Sequence, residues 1–238
     1  MPQKPPFPWN TFQATEEWAA LVDKNGDGFG VWVPGVQQCL GGFAGKPGEG
    51  GPKSSPTGYL APIQVEILDH NIVYTYDYRL IVGSTQAIRG YVYKNRTEQK
   101  GLQFNFANDR QHWHYIRATD TGFPIKGAIQ VKLEESNPEL LSPLFCLDAG
   151  QYKTLRIRAA FKTGETSARI RWTHIGSEKN VPDDMLKFPV NGDGTMTNYE
   201  IPLGTSGNWK GVINQLMLYP CTTGDASKSI RIESIRIE

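Results

Sequence analysis

From Leu155 to His174 the chain is apolar at almost every second position. Leu155, Ile157, Ala159 and Phe161 alternate with Arg156, Arg158 and Lys162. After a turn at Thr163-Gly164-Glu165, Ala168, Ile170, Trp172 and His174 alternate with Arg169, Arg171 and Thr173. A period of two sends successive side chains to opposite faces of a strand and does not fit the 3.6-residue period of a helix. The two runs predict a pair of strands with one face buried. The closing segment Ile230–Ile237 repeats the pattern, but its apolar phase slips between Ile232 and Ile235. That step predicts a β-bulge at Glu233-Ser234.

The same period recurs upstream. Trp18–Val22 and Phe29–Val33 read as a hairpin around the turn Asp23–Gly28. In Ile72–Val82, Tyr74, Tyr76, Tyr78, Leu80 and Val82 share one face and Thr75, Asp77 and Arg79 the other. This predicts a half-buried strand whose tyrosines are part core, part rim. Gly83-Ser84 then turns the chain into a further strand, Ile88–Tyr93. Strands are also expected at Thr197–Leu203, after the turn Asn191–Gly194, and at Leu216–Tyr219. No amphipathic helix of three turns is expected, and 25 glycines and 16 prolines among 238 residues suit a chain of short strands and many turns. The class predicted is all-β, as two β-sandwich units. The charged stretch Lys94–Lys100 places the boundary, giving domains 1–100 and 101–238. Residues 41–58, rich in Gly and Pro, read as a long loop, and the segment up to Asn10 as extended.

Several classes are excluded or left without support. With 25 basic and 24 acidic residues the net charge is +1, which gives no broad field for nucleic acid or an anionic membrane. No apolar run reaches the length of a membrane span, and the first residues lack the apolar stretch of a signal peptide. Cys39, Cys146 and Cys221 are too scattered for a zinc site and read as buried, inert thiols. Asp23–Gly28 begins like a calcium loop, but Pro34 stands at its twelfth position, so a plain turn is expected. There is no G-x-S-x-G elbow and no H-E-x-x-H helix.

Residues from about Gly101 onward carry a family resemblance. An aromatic first strand, Leu102-Gln103-Phe104-Asn105-Phe106, is followed by Trp113. The strand pair Leu155–Phe161 and Ala168–His174 comes next, then Phe188–Gly194, Tyr199-Glu200-Ile201, Trp209–Ile213 with Leu216 and Pro220, and the closing strand. In this order the pieces resemble the jelly-roll carbohydrate-binding modules of polysaccharide-degrading enzymes. The first hundred residues resemble, more loosely, the β-sandwich accessory regions of such enzymes, through Glu17–Asp23, Gly28–Trp32 and Pro56–Pro62. The resemblance implies non-catalytic binding of a polysaccharide or oligosaccharide, a catalytic domain of a larger protein as partner, and an extracellular or cell-surface setting. It implies no certain cofactor beyond a structural calcium held by acidic groups of the first and last strands. Here Ala107 stands where an acid is often found, and Glu233 replaces the more common Asp.

Sugar recognition needs flat apolar faces for pyranose rings and fixed polar groups for hydroxyls. Trp113 and Trp209 resemble buried packing residues, whereas Trp172, beside His174 at a strand end, suits either core or groove. The cluster Gln111-His112-Trp113-His114-Tyr115 is the most polar-aromatic in the chain, and on a strand His112 and His114 would share one face. They would hold a metal only with a third ligand, and none identifies itself, so hydrogen bonding is the expected use. The candidate carbohydrate contacts are thus Trp172, His174, His112, His114 and Tyr115. The alternative is a glycoside hydrolase or polysaccharide lyase acting on a plant or algal polysaccharide, with Glu66, Asp69 or His70 as acid or base.

Overall fold

The structure is a computed structural model that describes residues 10–44, 57–69, 71–97, 101–176 and 184–238. It divides into two compact units. The first comprises residues 1–64 and 74–98, and the second residues 65–73 and 99–238. The short excursion 65–73, which lies within the first domain as read from sequence, thus packs with the second unit. His70, the proline-rich opening through Trp9 and most of the Gly/Pro-rich stretch lie outside the described residues.

The first unit holds two three-stranded antiparallel sheets. One contains β1 (Asn10–Gln13), β4 (Gln38–Ala44) and β5 (Thr57–Pro62), and the other β2 (Trp18–Val22), β3 (Asp27–Trp32) and β6 (Arg79–Ser84). Of the loop expected over residues 41–58, the described ends are strand, 41–44 in β4 and 57–58 in β5. The Asp23–Gly28 turn is closed by Asp23 Oδ1, which accepts the backbone N–H groups of Asn25 and Asp27.

Two expectations are corrected here. The segment Thr85–Asn95 is an α-helix, α1, not a strand. Ser84 caps it, its hydroxyl accepting the Ala87 N–H at 3.2 Å. Ile88 and Val92, one turn apart, are its two fully buried residues. The sheet accommodates the helix through Gly30, where a Cβ would meet Ile88 Cγ2 at 2.6 Å. The second correction concerns the tyrosine stripe. Only Arg79–Ser84 is strand, and Tyr74, Tyr76 and Tyr78 are exposed. The ladder ends at Trp32↔Arg79 because the next residues of the partner lead into Pro34-Gly35, and proline has no N–H to extend it.

The second unit is an antiparallel two-sheet sandwich. Its strands are β7 (Leu102–Asn105), β8 (His114–Ile116), β9 (Thr119–Asp120), β10 (Ile129–Lys132), β11 (Glu139–Leu141), β12 (Leu147–Asp148), β13 (Leu155–Lys162), β14 (Ser167–His174), β15 (Met185–Pro189), β16 (Thr197–Ile201), β17 (Val212–Tyr219) and β18 (Ser229–Ile237). One sheet runs β16-β13-β18-β10-β9 with β7 also beside β18. The other runs β15-β14-β17-β11-β8 with β12 also beside β17. Consecutive strands repeatedly change sheet, as β13 and β14 do, which gives the jelly-roll-like layering expected from sequence.

The alternating residues fill the space between the layers. Leu155, Ile157, Ala159 and Phe161 of β13, Ala168, Ile170 and Trp172 of β14, and the four isoleucines of β18 all belong to one buried cluster. The phase slip is a bulge: Arg158 faces Ser234 and Ala159 faces Ile232, leaving Glu233 as the extra residue. It lets Ile230, Ile232, Ile235 and Ile237 all point inward. Cys39 and Cys221 are buried thiols pushed up to about 11 by burial, but Cys146 is exposed, contrary to expectation.

Candidate functional site

The site grows from the link between β7 and β8. Phe104 and Phe106 stack alongside each other, and the fully buried Trp113 meets both edge-on, its ring 5.3 Å from Phe104 and 6.0 Å from Phe106. The chain returns to Trp113 through Gln111 and His112, both left-handed, with φ of 47° and 62°. This turn directs Arg110 inward, where it is 1% exposed.

A buried guanidinium is stable only with its charge compensated. Arg110 Nε and Nη2 donate to both oxygens of Asp120, at 3.1 and 2.5 Å, and Nη2 also donates to Asp69 Oδ2 at 3.1 Å. Nη1 lies 3.9 Å from Glu66 Oε1. Asp120 Oδ2 accepts the Gly122 N–H as well, at 2.7 Å. Burial works against the charge on Arg110, but Asp120 and Asp69 outweigh it and hold the guanidinium above its ordinary value. Glu66 Oε2 in turn lies 3.5 Å from His112 Nδ1.

Beside this ionic knot opens a cleft of about 550 Å³, lined by Val65, Ile67, Asp69, His114, Tyr115, Ala118, Thr119, Asp120 and Gly122. The Tyr115 phenol is raised by burial and then by the Asp120 and Glu66 charges, with Arg110 opposing, so it stays protonated at neutral pH. The His114 imidazole is lowered by burial, partly offset by the His112 carbonyl. Because the folded value lies below the usual 6.5, the folded unit binds fewer protons than the unfolded chain as pH falls through 6.5. The stabilisation is present above that pH and lost below it. The melting temperature of the second unit should therefore drop between pH 7.5 and pH 5, and His114→Gln should flatten that part of the profile.

The sequence candidates separate. His114 and Tyr115 line the cleft, and His112 pairs with Glu66 beside it. His112 precedes β8 in a left-handed conformation, so the two histidines do not share a strand face. Trp172 is corrected: it is 1% exposed, edge-on to Trp209 at 5.1 Å, and its indole N–H donates to the Asn208 carbonyl at 3.2 Å. It has no face for a ligand. Trp113 and Trp209 are likewise sealed, so no tryptophan of the second unit can stack on a sugar. His174 lies at the end of β14, 3.3 Å from the buried Asp184 carboxylate, and does not line the cleft. Arg110 and Asp120 were missed by sequence reasoning. The sequence carries no signal that would have marked them, since it shows Arg110 only as one charged residue between Phe106 and Trp113.

The donor set does not fit the implied calcium. Ala107 supplies no side-chain oxygen, and Glu233 is engaged by Arg158 at 2.6 Å and Arg231 at 3.5 Å. Among the described residues no three His, Cys, Asp or Glu side chains converge to hold an ion.

No protein-family model matches the chain, and no curated protein matches it in sequence. Among solved structures, it is similar to a low-affinity xylan-binding module from the gut symbiont Roseburia intestinalis, at TM-score 0.40 and 10% identity over 59% of this chain and 96% of that one. It is also similar to a carbohydrate-binding module from Clostridium stercorarium solved with cellobiose, at TM-score 0.36 and 10% identity over 60% and 98%. A third is the second N-terminal cellulose-binding domain of β-1,4-glucanase C from Cellulomonas fimi, at TM-score 0.39 and 12% identity over 58% and 95%. Carbohydrate-binding modules thus recur among the structures this chain is similar to.

Proposed function

We propose that the second unit is a non-catalytic polysaccharide-binding domain whose ligand enters the cleft at His114 and Tyr115. In this reading it works outside the cell or at its surface and keeps a partner catalytic domain near its substrate. The observation that carries it is the commitment of the cleft's carboxylates. Asp120 spends both oxygens on Arg110, and Asp69 is tied to the same nitrogen. Cleavage of a glycosidic bond needs one carboxyl group free to deliver a proton and a second free to attack or to activate water. Asp120 and Asp69 instead neutralise Arg110, and fixed acceptors and donors beside apolar Val65, Ile67 and Ala118 suit a sugar's hydroxyls and C–H surface.

A sugar ring covering about 100 Å² or less is worth a few kcal/mol at about 25 cal/mol/Å², so affinity should be weak and grow with glycan length. Affinity gels with plant and algal polysaccharides test this. At least one polymer should retard the chain, Ala118→Trp should weaken the retardation in protein that circular dichroism shows to be folded, and no product should form. Retardation by none of them would overturn the reading. So would product formation that disappears in Glu66→Gln or Asp69→Asn.

A further inference from the structure

The outward face of the second sheet holds cationic groups that the cleft does not use. Because Ala168, Ile170 and Trp172 point into the core, Arg169 and Arg171 point out. The ladder sets Arg171 between Met185 and Met217, and Arg169 between Lys187 and Tyr219. Opposite residues on neighbouring strands share a face about 5 Å apart, so these six side chains form one patch.

Its floor is sunken. Met217 and Tyr219 are 5% and 8% exposed, yet neither belongs to the core cluster, so it is the outer face that covers them. Arg169 lies over the Tyr219 ring at 5.2 Å and donates to Asn137. Glu139, whose carboxylate faces the Tyr219 phenol, is bound by Arg117. Arg171 has no ion-pair partner among the described residues. Its one side-chain hydrogen bond there goes to Tyr219 Oη at 3.5 Å, and its Nε is buried with no hydrogen-bond partner. That sealed N–H is out of a ligand's reach, but of the two terminal nitrogens only Nη1 has a partner there, so the fork is left short of acceptors and can take one from outside.

We propose that this face binds an oxyanion carried by a polysaccharide, either a uronic-acid carboxylate or a sulfate ester, seated on the Arg171 fork. The Tyr219–Met217 floor lies under the sugar, and Arg169 and Lys187 flank the charge. A guanidinium fork matches such an oxyanion with two parallel hydrogen bonds, which a hydroxyl cannot reproduce. The inference rests on the polysaccharide-binding reading and narrows its ligand to acidic glycans.

Affinity electrophoresis of the full chain against polygalacturonate, a sulfated galactan and neutral xylan tests it, with Arg171→Met and Arg171→Lys alongside. At least one acidic polymer should be held more tightly than xylan, and its binding should weaken as salt rises. Arg171→Met should lower that affinity about tenfold or more at unchanged melting temperature, because a charge-assisted hydrogen bond is lost. Arg171→Lys should recover only part of it. Preference for polygalacturonate or for the sulfated galactan assigns the oxyanion. Retention of xylan with no preference for either acidic polymer overturns this inference and leaves the general reading standing. The same holds if acidic polymers bind equally well to Arg171→Met. Retention of none of the three overturns both.

Discussion

Arg110→Ala is expected to destabilise the second unit by about 3–5 kcal/mol, the cost of breaking a buried ion pair by removing one partner. The guanidinium is 1% exposed and holds Asp120 through both its oxygens and Asp69 through one. Without it, Asp120, Asp69 and Glu66 are left converging on a site with no cation. The side-chain exposures of Asp120 and Glu66 are 10% and 13%, so water screens them poorly. Urea unfolding followed by near-ultraviolet circular dichroism would show the transition of the second unit moving to lower denaturant at unchanged slope. Arg156→Ala is the control. Arg156 pairs with Glu200 and Glu238 in the open, at 46% exposure, and such pairs contribute little to stability. If the two variants unfold at the same urea concentration, Arg110 does not anchor the cleft.

The parts of this molecule legible in its sequence are those whose pattern admits one period. β13, β14 and β18 alternate over eight or nine residues, and even the bulge at Glu233 shows as a slipped phase. Ile88–Tyr93 was ambiguous, because Ile88 and Val92 fit both a spacing of two and a spacing of one helical turn. The deciding feature was local: Ser84 lies where a helix cap must be. The tyrosine stripe misled for a different reason. Alternation reports a strand's faces, but pairing needs a partner, and β3 has ended before Tyr78 could find one. In the cleft, His114 and Tyr115 were visible as a polar-aromatic cluster. Arg110 was not, because a fully buried arginine is rare and one of its counter-charges, Asp69, lies 41 residues away in the chain. That long-range pairing is set by tertiary packing, which periodicity does not record.

The same distinction decides what Trp172 does. An indole that stacks on a sugar and one that fills a core look alike in sequence, and only their variants separate them. Trp172→Ala should cost about 3–5 kcal/mol, since a side chain with 1% exposure leaves a cavity that its neighbours close only in part. It also removes one of the two donors to the Asn208 carbonyl, which keeps the Lys210 N–H, and takes away the edge-on partner of Trp209. Trp172→Phe keeps an aromatic ring but loses the N–H and part of the volume, so it should lie between the two in stability. A ligand-stacking tryptophan would behave in the opposite way, with little effect on unfolding and a large loss of glycan retention. Melting temperature and affinity-gel mobility measured on the same Trp172→Phe protein, well below its transition, separate the cases. Mobility should match the unmodified chain while the melting temperature falls. Were the melting temperature to hold and the mobility change, the indole would face a ligand, and the packing of β14 against Trp209 would have to be rebuilt.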